Sequence, residues 1–150
     1  MTLEEAASSG VVGAAERFLL AVLYGDRRAM WGMFSRAARQ YIVDRGVKQG
    51  LDPALGQELL AGTASEHEQE LFLTDVLYGL RKDLEHVDLS ALALDAVAEL
   101  HGPLQMRVTF LQALGSDLGP PLPAFPAGTL LMSFEEEQWK VERLAQMGRR

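Results

Sequence analysis

Tyr41 and Asp44 are the candidates in this sequence for acid–base chemistry. Three residues apart on a predicted helix, they are neighbours on one face. A carboxyl and a phenol projecting into an apolar space can transfer protons, because burial raises a carboxyl pKa toward the working pH. Trp31 would supply an apolar wall. The competing reading is a tyrosine at a rim and an aspartate facing solvent. Asp95 and Arg107 form a second charged pair, on consecutive predicted strands. Their parity is opposite to that of the apolar residues, so alternation turns them away from the helices, toward a cross-strand ion pair on the outer face.

Other chemistry finds less support. The absence of cysteine excludes a thiol nucleophile, a thiolate zinc site, an iron–sulfur cluster and a disulfide framework. His67, His86 and His101 make no zinc-ligand spacing. Asp83, Glu85, His86 and Asp88 carry oxygen ligands for a hard cation, but the cluster lacks the glycine and spacing of a calcium loop. It reads as a solvated acidic junction between a helix and a strand. No Gly-x-Ser-x-Gly, Gly-x-x-x-x-Gly-Lys or Gly-x-Gly-x-x-Gly run is present. No metal and no cofactor are therefore expected. Arg27, Arg28, Arg36, Arg39, Arg45 and Lys48 form one basic region, opposed only by Asp44. Arg36, Arg39 and Tyr41 could grip a phosphate; the plainer reading is a solvated helix face docking on the acidic segment from Glu66 to Asp88.

The elements that must position these residues follow from periodicity. Val11, Val12, Ala15, Phe18, Leu19, Val22 and Leu23 recur at steps of three and four, the stripe of an amphipathic helix. Ser9 is a suitable cap for its start and Gly25 for its end. Asp26 caps a short helix carrying Met30, Trp31, Met33 and Phe34. Ser35 opens a third through about Val47, with Ala38, Tyr41 and Ile42 as its stripe. Asp52-Pro53 begins another, and Ser65-Glu66-His67-Glu68 is a capping box for a helix with Leu73, Val76, Leu77, Leu80 and Leu84.

From about residue 91 the period becomes two. Leu92, Leu94, Ala96, Ala98 and Leu100 share one strand face, and Leu104, Met106, Val108 and Phe110 the next, across a Gly102-Pro103 turn. Residues 115–128 hold four prolines and are not expected to form a central strand. They read as a connection, with a recognition segment or a lid over a cavity mouth as alternatives. Leu130, Met132 and Phe134 mark one further strand; Trp139 and Val141 mark the last, beyond a bend at Glu135–Gln138. Helices first and an antiparallel meander second make an α+β domain, one domain over residues 1–150.

Composition narrows the partners. The net charge is −7, and residues 51–100 carry 2 basic against 11 acidic side chains. Nucleic acid, which needs clustered Lys and Arg, is not expected. No run approaches the ~20 apolar residues of a membrane helix, and the opening Met1-Thr2-Leu3-Glu4-Glu5 is acidic, so no membrane partner and a cytoplasmic location are expected.

Two stretches carry a resemblance to a known family. One is Ala15-Glu16-Arg17-Phe18-Leu19-Leu20-Ala21-Val22-Leu23-Tyr24-Gly25-Asp26 followed by Met33-Phe34-Ser35. The other is Thr129-Leu130-Leu131-Met132-Ser133-Phe134, an acidic turn, then Gln138-Trp139-Lys140-Val141-Glu142-Arg143-Leu144. With this element order, the chain resembles the nuclear transport factor 2-like superfamily, to which ketosteroid isomerase and polyketide cyclase-like proteins belong. The resemblance implies a cone, in which a curved antiparallel sheet wraps the N-terminal helices around a cavity, and a homodimer through the sheet's outer face. Phe18, Trp31, Phe34, Leu94, Ala96, Met106, Met132 and Phe134 would line that cavity, unless the first helix fills it.

The matching patterns are packing patterns. The expectation is therefore a protein that binds a small apolar ligand or a partner without catalysis. The alternatives are a cofactor-independent lyase or isomerase using Tyr41 and Asp44, and an interaction module using an apolar outer face around Val97, Leu111 and Leu131.

Overall fold

The computed structural model describes residues 3–84, 97–102, 104–112 and 125–145. Five helices come first: α1 (Leu3–Tyr24), α2 (Arg27–Gly32), α3 (Arg36–Lys48), α4 (Pro53–Ala61) and α5 (Glu66–Asp83). Four strands follow: β1 (Val97–Gly102), β2 (Gln105–Gln112), β3 (Phe125–Glu135) and β4 (Gln138–Ala145). They form one antiparallel sheet in the order β1-β2-β3-β4. The chain is thus α+β, helices on an antiparallel meander, as the change of period from 3.6 to 2 implies. α1 packs across all four strands and against α2 and α5.

Local chemistry explains most of the boundaries. α1 begins at Leu3, so Ser9 lies inside it and is not its cap. At its other end Gly25 takes φ 74°, a left-handed conformation that glycine adopts without steric cost. Its N–H donates to the Val22 carbonyl at 3.4 Å and the Asp26 N–H to Ala21 at 2.9 Å, the paired bonds of a Schellman stop. Arg81 of α5 closes the same end, donating from Nε to the Val22 carbonyl and from Nη2 to that of Leu23. Asp26 caps α2 by accepting from the Ala29 N–H, and Ser35 caps α3 by accepting from Ala38. Pro53 occupies the first turn of α4. Ser65 accepts from the Glu68 N–H and donates to its carboxylate.

The basic region divides between two acidic partners. Arg27 meets Glu70 at 2.6 Å and also donates to Thr74, while Arg28 lies within 3.7 Å of Glu66 and 3.6 Å of Glu70. These contacts dock α2 on α5, as the opposite charges of the two segments suggested. Arg36 instead pairs with Glu136 in the β3–β4 hairpin at 2.6 Å.

Phe18, Val22, Met30, Val108, Leu130, Met132 and Val141 are completely buried between α1, α2 and the sheet. Met106 and Val108 on β2, Leu130 and Met132 on β3, and Val141 on β4 keep the predicted parity. Leu73 and Leu77 bury the predicted face of α5. In α3 the stripe is rotated. Ala38 and Val43 are buried and Ile42 packs against the core, but Tyr41 is 62% exposed. A buried arc through 38/39, 42/43 and 46/47 keeps the i, i+4 spacing and leaves Tyr41 off its edge.

Two strand expectations are corrected. β3 begins at Phe125, so Pro126 sits within a strand paired on one side with β2. The register slips between Phe110 and Leu111 as Pro126 comes opposite Leu111. Pro126 sits at this irregularity of the ladder, where proline is tolerated. In the β1–β2 ladder the residue opposite Arg107 is Glu99 rather than Asp95. Asp95 lies outside the described residues, as do Leu92, Leu94 and Ala96 of the predicted first strand, Glu85, His86 and Asp88 of the acidic cluster, and most of the proline-rich connection.

Two substitutions test this framework. Ser35→Ala removes the α3 cap and leaves a buried N–H without its acceptor; a loss of about 1–2 kcal/mol is expected in urea unfolding. Gly56→Ala should also destabilise, although alanine is the better helix former by ~1 kcal/mol. A Cβ there would stand 2.8 Å from Cγ1 of Val43, a buried β-branched side chain with little room to turn. Overpacking of that kind costs ~1–3 kcal/mol, so the melting temperature should fall.

Candidate functional site

A short segment after α2 joins the helices to the sheet. The Val141 N–H donates to the Met33 carbonyl at 2.7 Å, and the Ser35 N–H donates to the Val141 carbonyl at 2.9 Å. Phe34 and Val141 thereby form a parallel bridge on the free edge of β4. Side chains reinforce it from both directions. Lys140 Nζ donates to the Gly32 carbonyl at 2.7 Å, and the Glu135 carboxylate accepts from the Arg36 N–H at 3.0 Å.

The β3–β4 turn beside this joint has an unusual backbone. Glu136 and Glu137 take φ 52° and 63° between the paired residues Glu135 and Gln138. A two-residue hairpin wants positive φ at both central positions, usually met by Asn-Gly or Asp-Gly. Two glutamates there hold a conformation that costs a side-chain-bearing residue ~1–2 kcal/mol. Glu136 gains an arginine partner; Glu137 has no hydrogen bond or ion pair among the described residues.

Between this hairpin and α1 lies a half-open cleft of about 430 Å3. Gly10, Ala14 and Arg17 line it from the helix, at i, i+4 and i+7, and so on one face. Met33 lines it from the joint; Glu137, Trp139 and Lys140 line it from the hairpin. At Gly10 the lack of a side chain lets the Trp139 indole approach the helix, and the cleft opens beside that contact. A Cβ on Gly10 would already touch the Trp139 indole, 3.6 Å from Cδ1 and 3.7 Å from Nε1. Phe134 packs against that indole, ring centroids 5.2 Å apart and tilted by 60°. The walls thus combine an aromatic face and a thioether with two cations and one carboxylate. Arg17 is exposed and, among the described residues, makes no ion pair or hydrogen bond.

The residues singled out in the sequence lie elsewhere, with one neighbour in common. Tyr41 and Asp44 are both exposed on α3, and Asp44 accepts from Gln40 at 2.9 Å. Neither has the apolar enclosure that proton transfer by this pair requires. Phe18, Phe34, Met106 and Met132 are buried together in the core. Phe18 meets Phe34 edge-on at 5.2 Å, and Trp31 bridges Phe34 and Phe72. Phe134 is 37% exposed, backing the cleft tryptophan. Leu94 and Ala96 lie outside the described residues. On the outer sheet face, Leu131 is half-buried between Arg107 and Arg143 in the register, while the side chains of Val97 and Leu111 lie outside the described residues.

Among the described residues, no three His, Asp or Glu side chains are grouped to hold a metal, and no helix is long and apolar enough to cross a membrane. No family model matches the chain, and no curated protein or solved structure matches it either.

Sequence reasoning passed over the cleft because its hairpin wall lies more than 100 residues from its other walls. The available signal was the small-residue face of α1, Gly10 with Ala14, facing a tryptophan on a strand. The exposure of Tyr41 and Asp44 makes a prediction of its own. Tyr41→Phe combined with Asp44→Asn should change unfolding free energy by less than ~0.5 kcal/mol, as for surface sites without special contacts; urea titration reads it.

Proposed function

We propose that this protein is a non-catalytic binding protein of the nuclear transport factor 2-like fold, taking a small, partly apolar molecule in the cleft between α1 and the β3–β4 hairpin. The observation that supports it is the Trp139 indole standing over the small-residue face of α1, backed by Phe134. A ligand ring in the cleft would lie beside that indole, with Met33 and Ala14 among its other neighbours. The volume falls within the ~300–1,000 Å3 of small-molecule sites. The cone shape and a homodimer through the outer sheet face belong to the same proposal through the family resemblance. The lyase or isomerase alternative loses its support with the exposure of Tyr41 and Asp44.

Crystals soaked with a set of small aromatic compounds test the reading. Density for a ring against Trp139 is expected, and Gly10→Leu should abolish it by growing a side chain into the cleft. Leucine is also the better helix former by somewhat under ~1 kcal/mol, and circular dichroism checks that the variant folds. A cleft that stays empty across the set, or binding unaffected by Gly10→Leu, overturns the proposal.

A further inference from the structure

Most described arginines near the joint already have partners. Arg27 and Arg28 reach Glu66 and Glu70, Arg36 holds Glu136, and Arg81 is bonded to the end of α1. Arg17 is different. It stands in the cleft wall with its guanidinium exposed and without an ion pair or hydrogen bond among the described residues. Lys140 shares the cleft, and one bond to the Gly32 carbonyl leaves its ammonium two further donors. Glu137 is the opposing charge, so two cations face one carboxylate. In a protein of net charge −7, this cleft carries a local excess of the opposite sign.

From this we propose that the ligand of the cleft is a small aromatic anion, its ring against the Trp139 indole and its carboxylate, sulfonate or phosphate group on the Arg17 guanidinium. The inference rests on the cleft being a binding site and adds the charge of what enters it. A planar guanidinium presents parallel N–H donors to an oxyanion, and such charge-assisted bonds are about twice as strong as neutral ones. Trp139 supplies the stacking face, and Phe134 packs against the indole at 5.2 Å. Glu137 opposes the same anion and sets an upper limit on affinity. The two side chains therefore act with opposite sign, which a purely structural role for either would not produce.

The test compares two probes of similar ring size: 8-anilinonaphthalene-1-sulfonate, an anion, and N-phenyl-1-naphthylamine, which is neutral. Binding is followed by probe fluorescence at low and at ~150 mM salt, where screening acts over ~8 Å. The sulfonate should bind about tenfold more tightly than the amine, and more weakly as salt rises. Arg17→Gln should weaken the sulfonate about tenfold and the neutral probe less than twofold, while Glu137→Gln should tighten the sulfonate by a few fold. Both positions are exposed, and circular dichroism checks that the variants fold. Equal affinity for the two probes, with both displaced by Gly10→Leu, overturns the anion and leaves the binding site standing. The anion also fails if sulfonate affinity does not respond to Arg17→Gln. Failure of both probes to bind removes the site and the anion together.

Discussion

The bridge between Met33–Ser35 and Val141 is the contact on which the remaining geometry depends. The Val141 N–H donates to the Met33 carbonyl, and the Val141 carbonyl accepts from the Ser35 N–H. β4 ends the sheet order, and an edge strand exposes unpaired donors and acceptors that invite pairing with other chains. Here a three-residue segment satisfies part of that edge without becoming a strand. The same residues stop α2 and start α3, since Ser35 donates its N–H to the sheet while its hydroxyl caps the next helix. One buried serine thus serves both layers, which is why a fully buried hydroxyl is tolerated there.

From this joint the cleft follows as a geometric consequence. The main-chain bonds of the joint, together with the packing of α1 across the sheet, set how far α1 stands from the last hairpin. Lys140 and Arg36 tie the flanks of the joint to the hairpin on both sides. With those distances set, Gly10 and Ala14 bring the least side-chain volume to the level of Trp139. Gly10 is where the helix and the indole nearly touch, and the cleft opens beside that contact.

Much of this frame was legible in the sequence. Helix caps at Asp26, Ser35 and Ser65 and the stop at Gly25 are local chemistry, and local chemistry can be read residue by residue. The burial parity of Met106, Val108, Leu130, Met132 and Val141 was equally plain, since a period of two admits only two answers. The errors arose where tertiary context decides. Tyr41 fits a helical stripe by spacing, but the angular position of the buried arc on α3 depends on where α4 and β4 lie, and they leave Tyr41 in solvent. Pro126 argued against a central strand because the sequence does not reveal the register shift at which it is accommodated. Register was out of reach for the same reason: alternation gave the face of Arg107 but not its neighbour Glu99.

The cleft was illegible for a different reason. Its chemistry comes from residues that are individually unremarkable, a glycine and an arginine on one helix and a tryptophan on a hairpin, and no spacing rule links them. The aromatic residues that did stand out, Phe18, Phe34 and Trp31, are the ones the core needs. Phe18 and Phe34 meet edge-on, and Trp31 continues the contact to Phe72 on α5, so three helices and the joint share one aromatic cluster. Packing of this kind favours large side chains that are close in sequence to the elements they connect, which makes them conspicuous. A site at the seam between two layers instead needs small residues on one side and a half-buried aromatic on the other. Trp139 meets that condition because Phe134 supports its ring while α1 withholds side-chain volume in front of it.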